Sequence, residues 1–489
     1  MTFFWYDYET WGKNPRRDRI VQFGGVRTND NLEEVDEPIE LKCKPELDCP
    51  IGPGAVNVHG IMPEEAEEEG LPESEFAQRI HAELSMKGTC SVAYSGMGFD
   101  HEFTRVLFYR NMLDPYEWAW KNGNTCWDTL DLMRAAFLLQ PDALENWPTK
   151  EDGGPSFQLE RLAEANLGEK DLQQREAHDA LTDSIYMLEV AKLIRKNARR
   201  LWDYALKLRY KKNVQDLMNR GQPVLYVAGK IYTERHCSTF LSNLKVQGRN
   251  ANEVFAFDLF NDPTPLLKPY QRWTLEDKSA ARRAIVSFKR NQSPFVCKWK
   301  YIGMLTELSL KDILDRMKLN EAEVQDHHHR IQEFLAKESQ NPFSEYIKDR
   351  EAESEHRYSF RQTDPDEAIY EGFISDRDRN LMNQVLREGA DFDWRSVQSE
   401  DTRVEPLIFR YLARNYPESL DDPSQERWKA YCRRRQLESS QWRSVTADQI
   451  FSYELRDCLY PWGNLDESKT KQLLKWQTRV REVLMNSPR

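Results

Sequence analysis

The chain has 489 residues, 39% of them hydrophobic and 31% charged, with 81 acidic against 69 basic side chains and a net charge of −12. That length exceeds what one hydrophobic core serves, and at roughly 150 residues per domain about three domains are expected. The aromatic content excludes a disordered chain, no apolar run approaches the roughly 20 residues a membrane-spanning helix needs, and the global acidity argues against indiscriminate binding to polyanions.

From the N-terminus, residues 2–9 (TFFWYDYE) form an aromatic run that ends in acids, and Ile20–Val26 (IVQFGGV) is a second β-like run, so the chain is expected to open with a hairpin. Glu75–Glu83 reads as a helix and Ser91–Tyr94 as a short strand, and helical spacing returns at Phe103, Val106, Leu107 and Phe108. Ala180–Ile194 is amphipathic through Leu181, Ile185 and Leu188. Strands interleaved with helices predict an α/β domain over 1–196.

Between Pro223 and Leu305 short apolar runs (PVLYVAG, EVFAFDLF, AIVSFKR, PFVCKWK) alternate with turn residues, which predicts a small β barrel or sandwich. Helical patterns return over Lys311–Leu335 and after Asp366, broken near Pro406, Pro417, Pro423 and Pro461. The Glu-, Ser-, Asp- and Arg-rich stretch Glu338–Asp366 is the expected linker. Domains are therefore expected at 1–196, 197–352 and 353–489.

The eight cysteines form no CxxC pair, and no basic segment followed by an apolar stretch opens the chain, so reduced thiols in a cytoplasmic protein are expected. Basic residues still cluster at Arg195, Lys196, Arg199 and Arg200, and again at Arg433–Arg435, which leaves room for local positive grooves. The acidic run Glu64–Glu69 and the triplet His327–His329 are expected to be solvated, since consecutive helical side chains point in different directions.

Chemistry concentrates in three places. Asp7 and Glu9 lie two residues apart at a strand end, so the strand period puts both carboxylates on one face. Adjacent acids repel unless a cation neutralises them, and hard oxygen ligands suit Mg²⁺ or Mn²⁺. Asp100, in AYSGMGFDHEFTR, follows a glycine-bearing loop and opens a helix, where a plain N-cap is the alternative. In AHDALTDSIY, His178 precedes Asp183 by five residues; five helical steps turn about 500°, so His178 is expected just before the helix that carries Asp183. Each element alone is common by chance.

Together, and in this order, they resemble the DEDDh exonuclease superfamily. FFWYDYETWGKNPRRDRIVQFGGVRT, GAVNVHGIMPEEA, FYRNMLDPYEWAW, CWDTLDLMRAA, PSFQLERLAEAN, AHDALTDSIYMLEVAKLIR, IYEGFISDRDR and FRYLARNYPESL extend the resemblance to the bacterial exodeoxyribonuclease I family over the whole chain. The resemblance implies an RNase H-like exonuclease domain with a mixed sheet, then an SH3-like β domain and an all-helical C-terminal domain. It implies a 3′→5′ exonuclease that converts single-stranded DNA to 5′-mononucleotides in DNA repair and recombination. Asp7, Glu9 and Asp183 would bind two Mg²⁺ ions, Mn²⁺ being an alternative, with Asp100 completing the acidic set and His178 as general base.

By matching position, Glu9, Val58 and His59 would face the terminal nucleotide, and Arg105, Tyr116, Trp120, Arg134, Gln158 and Lys211 the strand. Tyr204 would receive the acidic tail of single-strand DNA-binding protein. A monomer is expected. The chain departs from the family pattern at Gly96 (Asn expected), Gln158 (Arg expected, within SFRLE) and Gln140 (Arg expected, in the partner surface). Rival readings are a DEDDh enzyme trimming RNA or mismatched ends, and a non-catalytic strand-binding scaffold; the additional domains and the intact catalytic residues favour the first reading.

Overall fold

A computed structural model describes residues 1–168, 179–219, 221–338, 341–358, 363–438, 446–458 and 465–485. The predicted hairpin forms: β1 (Thr2–Thr10) runs antiparallel to β2 (Ile20–Thr28), with Asp7 opposite Gly24 and Glu9 opposite Gln22. β3 (Ile39–Lys42) adds antiparallel to β2, and β4 (Thr89–Ala93) pairs parallel with β1. The order β3-β2-β1-β4 makes β1 an interior strand, which its buried Phe3, Phe4, Trp5 and Tyr6 require, and the mixed directions match the expected exonuclease sheet. The helices Glu73–Ser85 and Asp100–Arg110 bury Phe76, Ala77, Ile80, Phe103, Val106 and Leu107.

The chain divides into two compact units that interleave in sequence: Met1–Asn124, Arg175–Ile185 and Arg361–Arg489 form one, Thr125–Gln174 and Tyr186–Phe360 the other. The second carries β5 (Thr125–Asp128) and a five-stranded antiparallel sheet of β6 (Val224–Val227), β7 (Ser238–Asn243), β8 (Glu253–Asp258), β9 (Ile285–Lys289) and β10 (Phe295–Lys298), in the order β10-β6-β7-β8-β9. This is the expected small β domain. Its β7 (STFLSN) has too few apolar residues to stand out in sequence; its buried Thr239 hydroxyl donates to Asp258, and Ser242 meets the ring of His328.

Two expectations are corrected here. His328 is buried, its Nδ1 3.0 Å from Ser242 Oγ and its Nε2 3.2 Å from Gly221 O, and His327 Nδ1 lies 3.0 Å from Leu259 O; only His329 faces solvent, because the helix Glu321–Lys337 lies on β7. The expected linker contains the helix Pro342–Tyr358. Its Phe343, Tyr346 and Ile347 are buried at helical spacing, with Phe343 5.8 Å from the Trp273 ring, an apolar stripe that the surrounding charge concealed.

In the first unit the described residues of the C-terminal chain form helices and no strand, with α-helices at Asp376–Glu388, Val404–Asn415, Asp422–Leu437, Ala447–Cys458 and Glu467–Met485. These helices cover the N-terminal sheet region. Val106, Tyr109 and Met112 pack with Ile369, Met382, Val404 and Ile408, while Trp11, Ile51 and Val56 pack with Phe409, Tyr431, Phe451 and Leu455. No described helix is long and apolar enough to cross a membrane, and all eight cysteines are free.

A buried ion network joins the same two layers. Arg19 Nη2 lies 2.5 Å from Asp48 and its Nη1 3.1 Å from Glu73; Arg110 reaches Glu73 at 2.9 Å; Arg414 reaches Asp48 at 2.9 Å and also grips Asp366, which Arg410 meets at 3.0 Å. Burial alone would raise the Glu73 carboxyl, but the guanidiniums of Arg110, Arg19 and Arg414 outweigh it and hold the group at about 2. Such charges are tolerated inside only because each is matched by several partners.

Removing one partner leaves an uncompensated charge, so Asp48→Asn is expected to destabilise the protein by about 3–5 kcal/mol in denaturant unfolding. Because the folded Glu73 binds its proton less readily than the unfolded one, its stabilisation is present above the ordinary value of 4.5 and drains away as pH falls towards about 2. A titration in which unfolding stability is flat across that acidic window would contradict this.

Candidate active site

The end of β1 alternates Asp7, Tyr8, Glu9, and the two acids project from one face while Tyr8 turns to the other. There the Tyr8 hydroxyl lies 2.9 Å from Thr104 Oγ1, and Thr104 in turn donates to Asp100 O at 2.8 Å, which fixes the first turn of the helix Asp100–Arg110 against the strand.

The third acid arrives from far along the chain. The helix Ala180–Asn197 docks on β2 through Gln22, whose Nε2 donates to Asp179 Oδ2 at 2.6 Å and whose Oε1 accepts from Ala180 N at 3.1 Å. Asp179 caps the helix by accepting from Thr182 N at 2.9 Å, and Ser184 Oγ donates to Gly24 O at 3.0 Å. Gly24 is what permits this approach, since a Cβ there would lie 2.1 Å from Leu181 N. One turn in, Asp183 then meets the β1 acids, and Asp7, Glu9 and Asp183 each bring a carboxylate oxygen within 4.8 Å of the others.

The electrostatics record the crowding. Burial first, then the charges of Asp7, Asp183, Asp100 and Asp179, push the Glu9 carboxyl up to about 10. A set of convergent, partly buried, all-oxygen donors fits a hard divalent cation, whose charge offsets the burial and repulsion that raise the Glu9 carboxyl.

Asp100 is buried at the head of its helix and adds to the field on Glu9, while the three oxygens that converge are those of Asp7, Glu9 and Asp183. Gly96 packs against it: a Cβ at that position would lie 2.5 Å from Asp100 Oδ2. His101, next to Asp100, is no alternative base. It is sealed between Tyr6 and Trp118, and burial, then Arg105, pushes its ring down to about 3. His178 lies outside the described residues, two positions before the helix that carries Asp183.

A cavity of about 770 Å³ opens beside Glu9, lined by Trp11, Lys13, Val58, His59, Phe99 and Phe451 among others. Val58 is half exposed, whereas His59 is buried with its ring 5.6 Å from Trp11 and its Nδ1 accepting from Ile61 N at 3.1 Å.

The segments match family models described as exonuclease (residues 4–191), exonuclease I SH3-like domain (209–345) and exonuclease I C-terminal domain (363–483). The exodeoxyribonuclease I of Escherichia coli strain K12 is 34% identical over 462 residues, covering 92% of each chain. The chain belongs to the exodeoxyribonuclease I family. It is an enzyme, a hydrolase of the exodeoxyribonuclease class. Among solved structures, Escherichia coli exonuclease I in complex with a dA16 oligonucleotide matches with a TM-score of 0.83 at 31% identity, covering 98% of this chain and 99% of that one. A structure of SSB/exonuclease I with an inhibitor matches with a TM-score of 0.79 at 31% identity and the same coverage.

The remaining positions taken from the exodeoxyribonuclease I resemblance fall in both units. In the first, Trp120 is 62% exposed whereas Trp118 beside it is core, and Arg105 pairs with Glu102 at 2.6 Å and lies 6.0 Å over the Tyr116 ring. In the second, Arg134 pairs with Asp131 at 2.6 Å and packs on Gly229, where a Cβ would lie 2.5 Å from its Nη2. Gln158 holds the N-cap position of the helix Leu159–Asn166, and Lys211 is exposed at the start of Lys211–Met218. The Tyr204 hydroxyl donates to Val296 O at 2.9 Å, and Gln140 Nε2 to Leu305 O at 2.6 Å.

Sequence reasoning did not single out Gln22, Gly24 or Asp179, which hold the Asp183 helix in place; the doubled glycine of IVQFGGV was the available signal. Gly24→Ala is expected to push that helix off β2 and lower exonuclease kcat/KM by about 10²-fold, the usual effect of misplacing a catalytic group by about 1 Å. Full activity in a folded Gly24→Ala protein would show that the close approach does not position Asp183.

Proposed function

We propose that this enzyme degrades single-stranded DNA from its 3′ end, releasing 5′-mononucleotides, and that it does so as a cytoplasmic monomer in DNA repair and recombination. The observation that carries the reading is the meeting of Asp7, Glu9 and Asp183, drawn from opposite ends of the exonuclease segment, in a chain 34% identical to exodeoxyribonuclease I along 92% of its length. The oligonucleotide held by a relative of the same fold supports a single strand as substrate. Segments 1–196, 197–352 and 353–489 are proposed as its exonuclease, SH3-like and helical domains.

Asp7, Glu9 and Asp183 would hold two divalent ions, Mg²⁺ or Mn²⁺. Bound there, such ions supply Lewis-acid stabilisation of charge on the scissile phosphate and lower the pKa of a coordinated water. The chain's own groups do the rest. Asp100 deepens the negative field that retains the cations, and Glu9 is also assigned to the terminal nucleotide. His178 is assigned the proton of the attacking water, a role suited to a side chain that titrates near neutral pH. Val58 and His59 border the cavity for the terminal base, and Arg105, Tyr116, Trp120, Arg134, Gln158 and Lys211 are assigned to the strand. The uncharged Gln158 weakens the grip on phosphate relative to the family pattern. Tyr204 is assigned to the acidic tail of single-strand DNA-binding protein, a partnership suggested by the relative solved as SSB/exonuclease I and weakened by Gln140.

With Mg²⁺, purified protein is expected to shorten 5′-labelled single-stranded DNA stepwise and release mononucleotides, with duplex and 3′-phosphorylated ends resisting. Chelation with EDTA is expected to abolish digestion, and Asp183→Ala or His178→Ala to reduce it by at least about 10³-fold. Undiminished cleavage by Asp183→Ala would overturn the metal assignment, and equal digestion of RNA would shift the substrate to the ribo series.

A further inference from the structure

The helix Pro53–His59 carries Val58 and His59 to the cavity beside Glu9, yet at seven residues it is too short to hold its own shape. Part of what holds it lies 400 positions further along the chain. Glu454, half-buried on the helix Ala447–Cys458, accepts from Gly54 N at 3.2 Å through its Oε2. Two glycines admit the carboxylate. A Cβ at Gly54 would lie 3.4 Å from Glu454 Oε2, and one at Gly52 would lie 3.1 Å from it and 2.7 Å from Trp11 O. Gly52 is drawn that close to Trp11 by its own N–H, which donates to Trp11 O at 3.0 Å, and Trp11 stands just beyond Glu9 in the chain.

The contact is backed on both sides. Phe451 and Leu455, neighbours of Glu454 on the same helix face, join the core that holds Trp11, Ile51 and Val56. At the far end of the short helix Gly60 turns at φ 74° and donates to Val56 O at 2.8 Å, and a Cβ there would lie 3.6 Å from Lys469 Nζ. An anion at the first turn and a cation at the last both suit the helix dipole. The two helices also wall one cavity, with Gly54 and Val58 from the first and Ile450, Phe451 and Glu454 from the second. A carboxylate repels the phosphates of a strand, so its place in that wall is explained by the backbone it holds and not by a ligand it would bind.

We propose that Glu454 is a positioning residue for the exonuclease reaction: by accepting from Gly54 N it fixes the helix Pro53–His59 against the cavity, and so sets where Val58 and His59 meet the terminal base. This rests on the function proposed above and on the places it assigns to those two residues. It makes the pocket for the terminal nucleotide a joint product of the first strand and the C-terminal helices. Glu454 itself stays off the substrate.

Full-length protein in Mg²⁺ is given two single strands of the same sequence, one ending in an ordinary 3′ nucleotide and one whose 3′ residue is abasic, and kcat/KM for removal of that residue is measured on each. Wild-type protein is expected to favour the ordinary end. Glu454→Ala, and Glu454→Asp with a carboxylate one methylene short of Gly54 N, are expected to lower that preference about tenfold, part of the roughly 10²-fold that a misplacement of about 1 Å costs, whereas Glu454→Gln keeps the acceptor oxygen and stays within about twofold of wild type. A loss of folded protein would lower both rates alike and leave their ratio unmoved. If Glu454→Ala and Glu454→Asp keep the wild-type ratio, if Glu454→Gln loses as much as they do, or if wild-type protein is indifferent to the two ends, this inference fails and the function stands. If wild-type protein digests neither strand, the function itself fails.

Discussion

The chemistry of this protein depends on one close approach, that of the helix Ala180–Asn197 to β2 at Gly24. A hydrogen atom in place of a side chain lets two backbones meet at a distance any Cβ would forbid. Gln22 and Ser184 then fasten the contact from either side, and Asp183 arrives beside Asp7 and Glu9. Nothing in the acids themselves favours this meeting. Burial and their mutual repulsion, which together raise the Glu9 carboxyl, oppose it, so packing and backbone hydrogen bonding must hold the site together.

The same unit shows the opposite solution to buried charge. In the network of Arg19, Asp48, Glu73, Arg110, Asp366 and Arg414, acids and bases alternate and the carboxyls stay ionised inside. The two clusters differ in balance: a neutralised one ties the C-terminal helices to the N-terminal region, and an unneutralised one gathers Asp7, Glu9 and Asp183. Although the chain's net charge is −12, the cavity beside Glu9 is lined by the cations Lys13 and Arg17 of the loop between β1 and β2.

Legibility in the sequence followed the range of the interaction. The opening hairpin, the helices at Asp100 and Ala180 and most strands of the β domain were visible because apolar periodicity is local. β7 escaped because its buried polar residues find partners on Asp258 and on His328, about twenty and ninety positions away, and the helix Pro342–Tyr358 escaped because charge outnumbers its three-residue apolar stripe. His327 and His328 were misjudged for the same reason: the helix surface they share is polar in sequence but faces a sheet in space.

The sequence by itself determined the strand phase that puts Asp7 and Glu9 on one face and the membership of the exodeoxyribonuclease I family, on which the roles proposed for Asp100, Asp183 and His178 rest. Only the tertiary structure decided that Asp183 converges with the β1 pair, that Trp120 is open while Trp118 is core, and that Arg16 rests on Tyr370 some 350 positions away. The reason is physical. Periodicity encodes which way a side chain leaves its own element, whereas which elements touch is settled by packing and backbone contacts such as the one at Gly24, between residues that carry no mark of each other in the chain.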